Sequence, residues 1–285
     1  MKIDIYCNDY FMRYNAAQLD KDSLKQLRSG YIRGIVNEED MFILRGEPAF
    51  HYDFKYILDS FKKQNYILTT HGNNADAIIS YDRKIPYISF NWDGFINDSI
   101  KGHKPLTSEI TRTLQYLNST DTVVRIAYTI SPFNIKWLAT DAVVLRKMMD
   151  AYPKMKQPYF MLYQEGTYYS QDEFTWTSIS YEDVNNLNKL GLLTEKNLSY
   201  LLSWINRKDY QCTAPINDVV IMSDATVRTC QSYRMSEVLG SLDVNNLPDI
   251  ISQTKEKRSS LINCEYKERC WFACNLKDSL YGSGK

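Results

Sequence analysis

Met41-Phe42-Ile43-Leu44-Arg45-Gly46-Glu47-Pro48 is the stretch from which the fold can be read. Four apolar residues in a row, too few for a helix, describe a buried strand, and Gly46 and Pro48 turn the chain sharply after it. Upstream, residues 2–7 alternate short apolar and polar side chains and form a strand that ends in a thiol, Cys7, followed by Asn8. Between these strands, over 20–36, Leu24, Leu27, Tyr31 and Ile35 recur at spacings of three and four, one face of an amphipathic helix. Downstream, helical spacing over 52–63 leads to a strand over 66–70 that ends at His71-Gly72.

The alternation continues. A short helical piece at 75–80 precedes a strand at 86–90, a helix at 108–117 precedes a β-branched run at 122–130, and a helix at 135–151 precedes a strand at 159–163. Strands separated by helices call for a parallel α/β sheet, because parallel neighbours need crossover connections. The expected fold is therefore a partial (β/α)6 TIM-like barrel over residues 1–209. Its functional face lies where the strands end, at Cys7, Arg45, His71 and Asn91.

Beyond it, residues 182–206 place Leu187, Leu190, Leu193, Leu198, Leu201 and Ile205 at helical spacings, with a break at Gly191. The composition then shifts. Residues 219–222, the turn Ser223-Asp224-Ala225-Thr226 and residues 227–229 describe a β-hairpin, set between Cys212 and Cys230. Residues 210–285 are expected to form a small cysteine-rich domain that depends on a metal centre, because a module of this size buries little apolar surface unaided.

Lys plus Arg and Asp plus Glu each number 34, a balance that argues against strong non-specific nucleic-acid binding. The 22 tyrosines suit either protein contacts or positions that straddle core and solvent. The N-terminus, Met1-Lys2-Ile3-Asp4-Ile5-Tyr6, has no apolar signal region, and no stretch approaches the roughly 18 apolar residues of a membrane span. A cytoplasmic protein without membrane partners is expected.

Five of the six cysteines are Cys212, Cys230, Cys264, Cys270 and Cys274. In a reducing compartment, clustered thiols are metal ligands more often than disulfides, and five is an odd number to pair. Zinc sites usually carry a C-x2-C knuckle, absent here, whereas iron–sulfur clusters accept looser spacings. Spacing leaves iron–sulfur, zinc and ordinary buried cysteines open. His71 and His103 have no carboxylate partner evident in the sequence, and Cys7 reads as a buried thiol at a strand end.

Taken together these segments resemble the radical S-adenosylmethionine superfamily, in the branch with a C-terminal SPASM or twitch domain, along nearly the whole chain. Arg45-Gly46-Glu47-Pro48 resembles the family's Gly-Gly-Glu-Pro turn, which implies that Gly46 and Glu47 face the amino group of S-adenosylmethionine. Thr70-His71-Gly72 is similar to its Thr-Asn-Gly strand end. The segment from Ser89 to Gly94, with Lys101-Gly102, resembles its Ser-x-Asp-Gly and Arg-Gly segment, which makes Ser89 a further cofactor-binding candidate. Cys264, Cys270 and Cys274 reproduce the C-x5-C-x3-C core of SPASM domains, and Cys212 and Cys230 resemble the two cysteines flanking its hairpin. The resemblance implies one auxiliary 4Fe-4S cluster on these thiols, with zinc as the alternative, and a peptide or protein partner.

The departures bear on mechanism. Phe11 and Tyr14 occupy the second and third positions of the family's C-x3-C-x2-C motif, leaving Cys7 alone, and one thiolate cannot hold that cluster. Arg45 replaces the first glycine of the turn. Leu261 stands where the preceding C-x2-C partner belongs, and no cysteine follows Cys274. No catalytic residue is assigned. The expected function is a polypeptide-binding protein that does not cleave S-adenosylmethionine; the alternative is a peptide- or protein-modifying radical enzyme with an unconventional or partner-completed cluster. Side chains that fill the emptied mouth are expected at Phe11 or Tyr14 beside Cys7, with Arg45 paired to Glu47 or Asp93.

Overall fold

The computed structural model describes residues 2–7, 41–61, 65–81, 84–101, 105–162, 179–206, 216, 218–230 and 237–261. The helix expected over 20–36 lies outside them, as do Phe11, Tyr14, His103, Cys212, Cys264, Cys270 and Cys274.

Six strands alternate with helices as the sequence predicts. They are β1 (Lys2–Tyr6), β2 (Met41–Arg45), β3 (Asn65–Thr70), β4 (Tyr87–Trp92), β5 (Val123–Ile130) and β6 (Tyr159–Leu162). The intervening helices are α1 (Phe54–Ser60), α2 (Ala75–Ile79), α3 (Asn97–Lys101), α4 (Leu106–Leu117) and α5 (Leu138–Ala151). Two more, α6 (Tyr181–Lys189) and α7 (Glu195–Ile205), follow β6, and Gly191 at φ 67° makes the break between them. The hairpin is β7 (Asp218–Ile221) and β8 (Thr226–Arg228), followed by β9 (Val238–Ser241), α8 (Leu247–Gln253) and α9 (Lys255–Ser260).

The described strands form one sheet in the order β6-β5-β4-β3-β2-β1-β7-β8-β9. From β6 to β7 every neighbour is parallel, and β8 and β9 are added antiparallel. The hairpin is therefore hydrogen-bonded to the first strand of the barrel through the register Lys2↔Asp218 to Ile5↔Ile221.

Alternation along the strands separates two faces. Ile3, Ile5, Phe42, Leu44, Leu68, Ile88, Phe90, Ile126, Tyr128 and Phe160 belong to one apolar core with the helices, which explains the α4 pattern of buried Leu106, Ile110, Leu114 and Leu117. Each fully buried side chain of this size contributes about 1.5–3 kcal/mol. At Gly72, φ 87°, a Cβ would meet Ile110 Cγ1 at 2.4 Å, so only glycine lets β3 turn under α4.

The exposed edge of β6 is closed by α7. Asn197, buried, accepts from Phe160 N at 3.0 Å and donates to Phe160 O at 2.9 Å, and Tyr200 Oη accepts from Leu162 N at 3.3 Å. Side chains thus take the place of a further strand, which removes an edge that would otherwise invite pairing. Among the described residues no helix is long and apolar enough to cross a membrane.

Candidate functional site at the barrel mouth

The strand face opposite the helices carries polar side chains toward the mouth, beside buried Ile43, Ile67 and Val220. Register places Thr69, Ser89 and Arg125 side by side on β3, β4 and β5, with Tyr6 beside Arg45 on β1 and β2. The Ser89 hydroxyl has no hydrogen-bond partner among the described residues, whereas the Thr69 hydroxyl donates to Leu44 O at 2.8 Å.

At the ends of β2 and β3, Gly46 takes φ 80° and delivers Glu47 into the β3–α2 turn. Glu47 is fully buried. Its Oε1 accepts from the Thr70 hydroxyl, and its Oε2 accepts from His71 N at 2.7 Å, His71 Nδ1 at 3.2 Å and Asn73 Nδ2 at 3.3 Å. Because the carboxylate can only accept, the His71 proton sits on Nδ1. Asn74, at φ 53°, donates to Ala49 O at 2.7 Å and stitches the same two turns together. His71 therefore has a carboxylate partner, 24 residues away, that was not evident in the sequence.

Arg45 also differs from expectation. Its Nε lies 2.5 Å from Asp4 Oδ1, a carboxylate other than the expected Glu47 or Asp93. Glu47 is turned toward β3, while Asp4, wholly buried, stands on the same inner face of the neighbouring strand as Arg45. Cys7 faces the other way, into the apolar core with Ile3 and Ile5, and burial pushes its thiol up to about 12. Its Sγ donates weakly to Ile5 O at 3.9 Å.

Beyond β4 and β5 a second buried network braces the mouth. Asp141 of α5 accepts from Tyr128 Oη at 2.6 Å and from Phe95 N at 2.8 Å. Burial raises the Asp141 carboxyl above its ordinary range, opposed by these two donors. Burial also raises the Tyr128 phenol. Gly94, φ 74°, fits only because it lacks a Cβ, which would lie 1.9 Å from Asp141 Oδ2. Asn134 donates to Thr129 O at 2.7 Å and Asp93 O at 3.2 Å, and accepts from Ser131 N at 2.7 Å, fastening the two loops to each other.

Of the five C-terminal cysteines, only Cys230 falls among the described residues, partly buried just after β8. Among those residues no group of three or more His, Cys, Asp or Glu could hold a metal ion. Asp4, Asp141, Asn134 and the Glu47–His71 pair were not legible as site residues: their partners lie far off in sequence or on another element, and no short motif joins them. The one usable signal was Asp4, a charge flanked by Ile3 and Ile5 in a strand.

No protein-family model matches the chain, and no curated protein matches it in sequence. Solved structures do. Native anSMEcpe with bound AdoMet and Kp18Cys peptide is 13% identical, with 95% of this chain and 88% of that chain covered and a TM-score of 0.60. Native anSMEcpe with bound AdoMet and Cp18Cys peptide gives 13% identity, 95% and 88% coverage and a TM-score of 0.57. Native anSMEcpe with bound AdoMet alone gives 14%, 95%, 89% and 0.59. The fold is thus the partial barrel of the radical S-adenosylmethionine enzymes.

Proposed function

We propose that this chain is a polypeptide-binding protein on a radical S-adenosylmethionine fold, one that does not cleave the cofactor and whose Cys212, Cys230, Cys264, Cys270 and Cys274 hold one iron–sulfur cluster. The observation that carries the reading is the state of Glu47. Its carboxylate is wholly buried and already receives donors from Thr70, His71 and Asn73. Three donors at Oε2 already exceed the roughly two acceptor positions of one carboxylate oxygen, so a cofactor ammonium would be left at most the position beside the Thr70 hydroxyl on the wholly buried Oε1.

Cys7 supports the same conclusion. Its side chain faces the apolar core with Ile3 and Ile5 and not the inner strand face, so a cluster at the mouth would need it to turn round. Phe11 and Tyr14 supply no further sulfur. The residues at the mouth therefore do not fit the family's N-terminal cluster, and no chemical step is assigned to it. Gly46, at the turn after β2, and Ser89, on the inner strand face, are the remaining cofactor candidates. The polypeptide partner is supported by anSMEcpe having been solved with Kp18Cys and Cp18Cys peptides on the same fold.

The test uses the full chain purified anaerobically. Iron and acid-labile sulfide should correspond to about one cluster by the count of available thiolates. Calorimetric titration with S-adenosylmethionine should show no micromolar binding, and a reductant should release no 5'-deoxyadenosine. Robust 5'-deoxyadenosine release would overturn the non-catalytic reading; folded protein lacking iron would overturn the cluster, with zinc analysis deciding between metals.

A further inference from the structure

Among the described residues, four of the five exposed aromatic side chains, all but Tyr181, follow strands of the parallel sheet. Phe50 and Tyr52 follow β2, Phe95 follows β4 and Phe133 follows β5, all at the C-terminal ends of parallel strands. Phe95 is 71% exposed and Phe133 50%. The Phe95 ring lies 5.2 Å from that of Trp137, and Lys136 Nζ, exposed, stands 5.5 Å from the Trp137 centroid.

What lies beneath this patch is more informative than the exposure itself. Phe95 is fixed by its own N–H on Asp141, by a glycine before it that admits no Cβ, and by Asn134, which ties the Phe95 loop to the loop carrying Phe133. Burying Asp141 raises its carboxyl and so costs stability, yet the outcome is a phenylalanine held out into water. A rigid aromatic on a satisfied polar scaffold is what a binding hot spot requires, since little freedom remains to be lost on association.

We infer that Phe95, Trp137 and Phe133, with Lys136 at their edge, form the docking point for a polypeptide that presents an aromatic or long aliphatic side chain next to a carboxylate. The apolar side chain stacks on Phe95 and Trp137, and the carboxylate pairs with Lys136, the cation already lying against the indole. This assignment rests on the proposal that the partner is a polypeptide, and it adds where the partner binds and which residues it offers.

The test is to pan a random dodecapeptide display library on the immobilised full chain, then titrate the enriched peptides by fluorescence anisotropy. Enriched sequences should pair an aromatic or aliphatic residue with an adjacent Asp or Glu. Affinity should fall about tenfold or more in Phe95→Ala, as for a hot-spot truncation, and several-fold with a flattened salt dependence in Lys136→Glu. Val244→Ala, exposed after β9, which ends the strand order on the side opposite β5 and β6, should bind as the parent does, and circular dichroism of Phe95→Ala and Phe133→Ala should match it. Enriched peptides that bind Phe95→Ala and Phe133→Ala unchanged would overturn this surface while leaving the polypeptide reading standing. Failure to enrich any specific sequence would overturn both.

Discussion

Replacing Glu47 by glutamine separates a structural carboxylate from a ligand-binding one. Glutamine keeps the shape but leaves a single acceptor oxygen, while Thr70 Oγ1, His71 N, His71 Nδ1 and Asn73 Nδ2 all point at this side chain. If the amide oxygen takes the Oε2 position, three hydrogen bonds to a charged acceptor become neutral ones, each weaker by about 0.5–1.5 kcal/mol. The amide NH2 then faces the Thr70 hydroxyl, which already accepts from Gly72 N at 3.0 Å and must redirect its proton. The total is a loss of about 2–4 kcal/mol. With a urea m-value of about 3 kcal/mol/M, the midpoint falls by about 1 M. Equilibrium urea unfolding followed by circular dichroism measures it. A Glu47→Gln midpoint within about 0.3 M of the parent would show that the carboxylate does not hold the two turns together, and would return Glu47 to the role of a ligand group.

Arg45→Ala removes the cation beside the wholly buried Asp4 carboxylate and should cost about 3 kcal/mol, reduced from the full buried-pair value by the partial exposure of Arg45, whereas Asp4→Leu with Arg45→Met should recover most of it in urea unfolding. Asp141 has its folded pKa raised by burial, so its contribution to stability is fully present below the unfolded value of about 4 and is lost as pH rises through the raised folded value. The side-chain amide introduced by Asp141→Asn can accept from Phe95 N–H and donate to Tyr128 Oη, so the stability of this variant relative to the parent should increase with pH over that window; a pH-independent difference would contradict the assignment. Cys7 should resist iodoacetamide in the native state, with site-resolved mass spectrometry showing its labelling only as fast as the protein unfolds.

The strands were legible because each is a short apolar run closed by a turn residue, as at Leu44 before Gly46 and Thr70 before Gly72. Cys7 was legible as a buried thiol because a lone cysteine at a strand end behaves as a small hydrophobe. Helix ends were less legible: the helix expected over 52–63 shortens to Phe54–Ser60 because Pro48–Phe50 first makes a 3-10 turn, and the helix over 135–151 begins with one at Ile135–Trp137. Side-chain pairing was illegible. Arg45 meets Asp4 only because β1 and β2 pair with Tyr6 opposite Arg45, and Asp141 meets Tyr128 only once α5 packs across β5. Such contacts depend on register and docking, which no local propensity encodes. Short α3, β9, α8 and α9 also went unread, because segments of four to seven residues carry too few positions to display a period.

The position of β1 between β2 and β7 sets an order on biosynthesis. One edge of β1 is covered once β2 emerges, but the other waits for a strand that begins at Asp218, 216 residues after Lys2 by the difference 218 − 2. At about 5–20 residues per second, a ribosome takes on the order of 10–40 s to supply it. Throughout that interval the nascent chain presents an unsealed parallel edge, and expression of the barrel segment alone would make the interval permanent. Nascent-chain stalling just before and just after β7 should therefore show aggregation, or chaperone capture, that stops once β7 has cleared the ribosome.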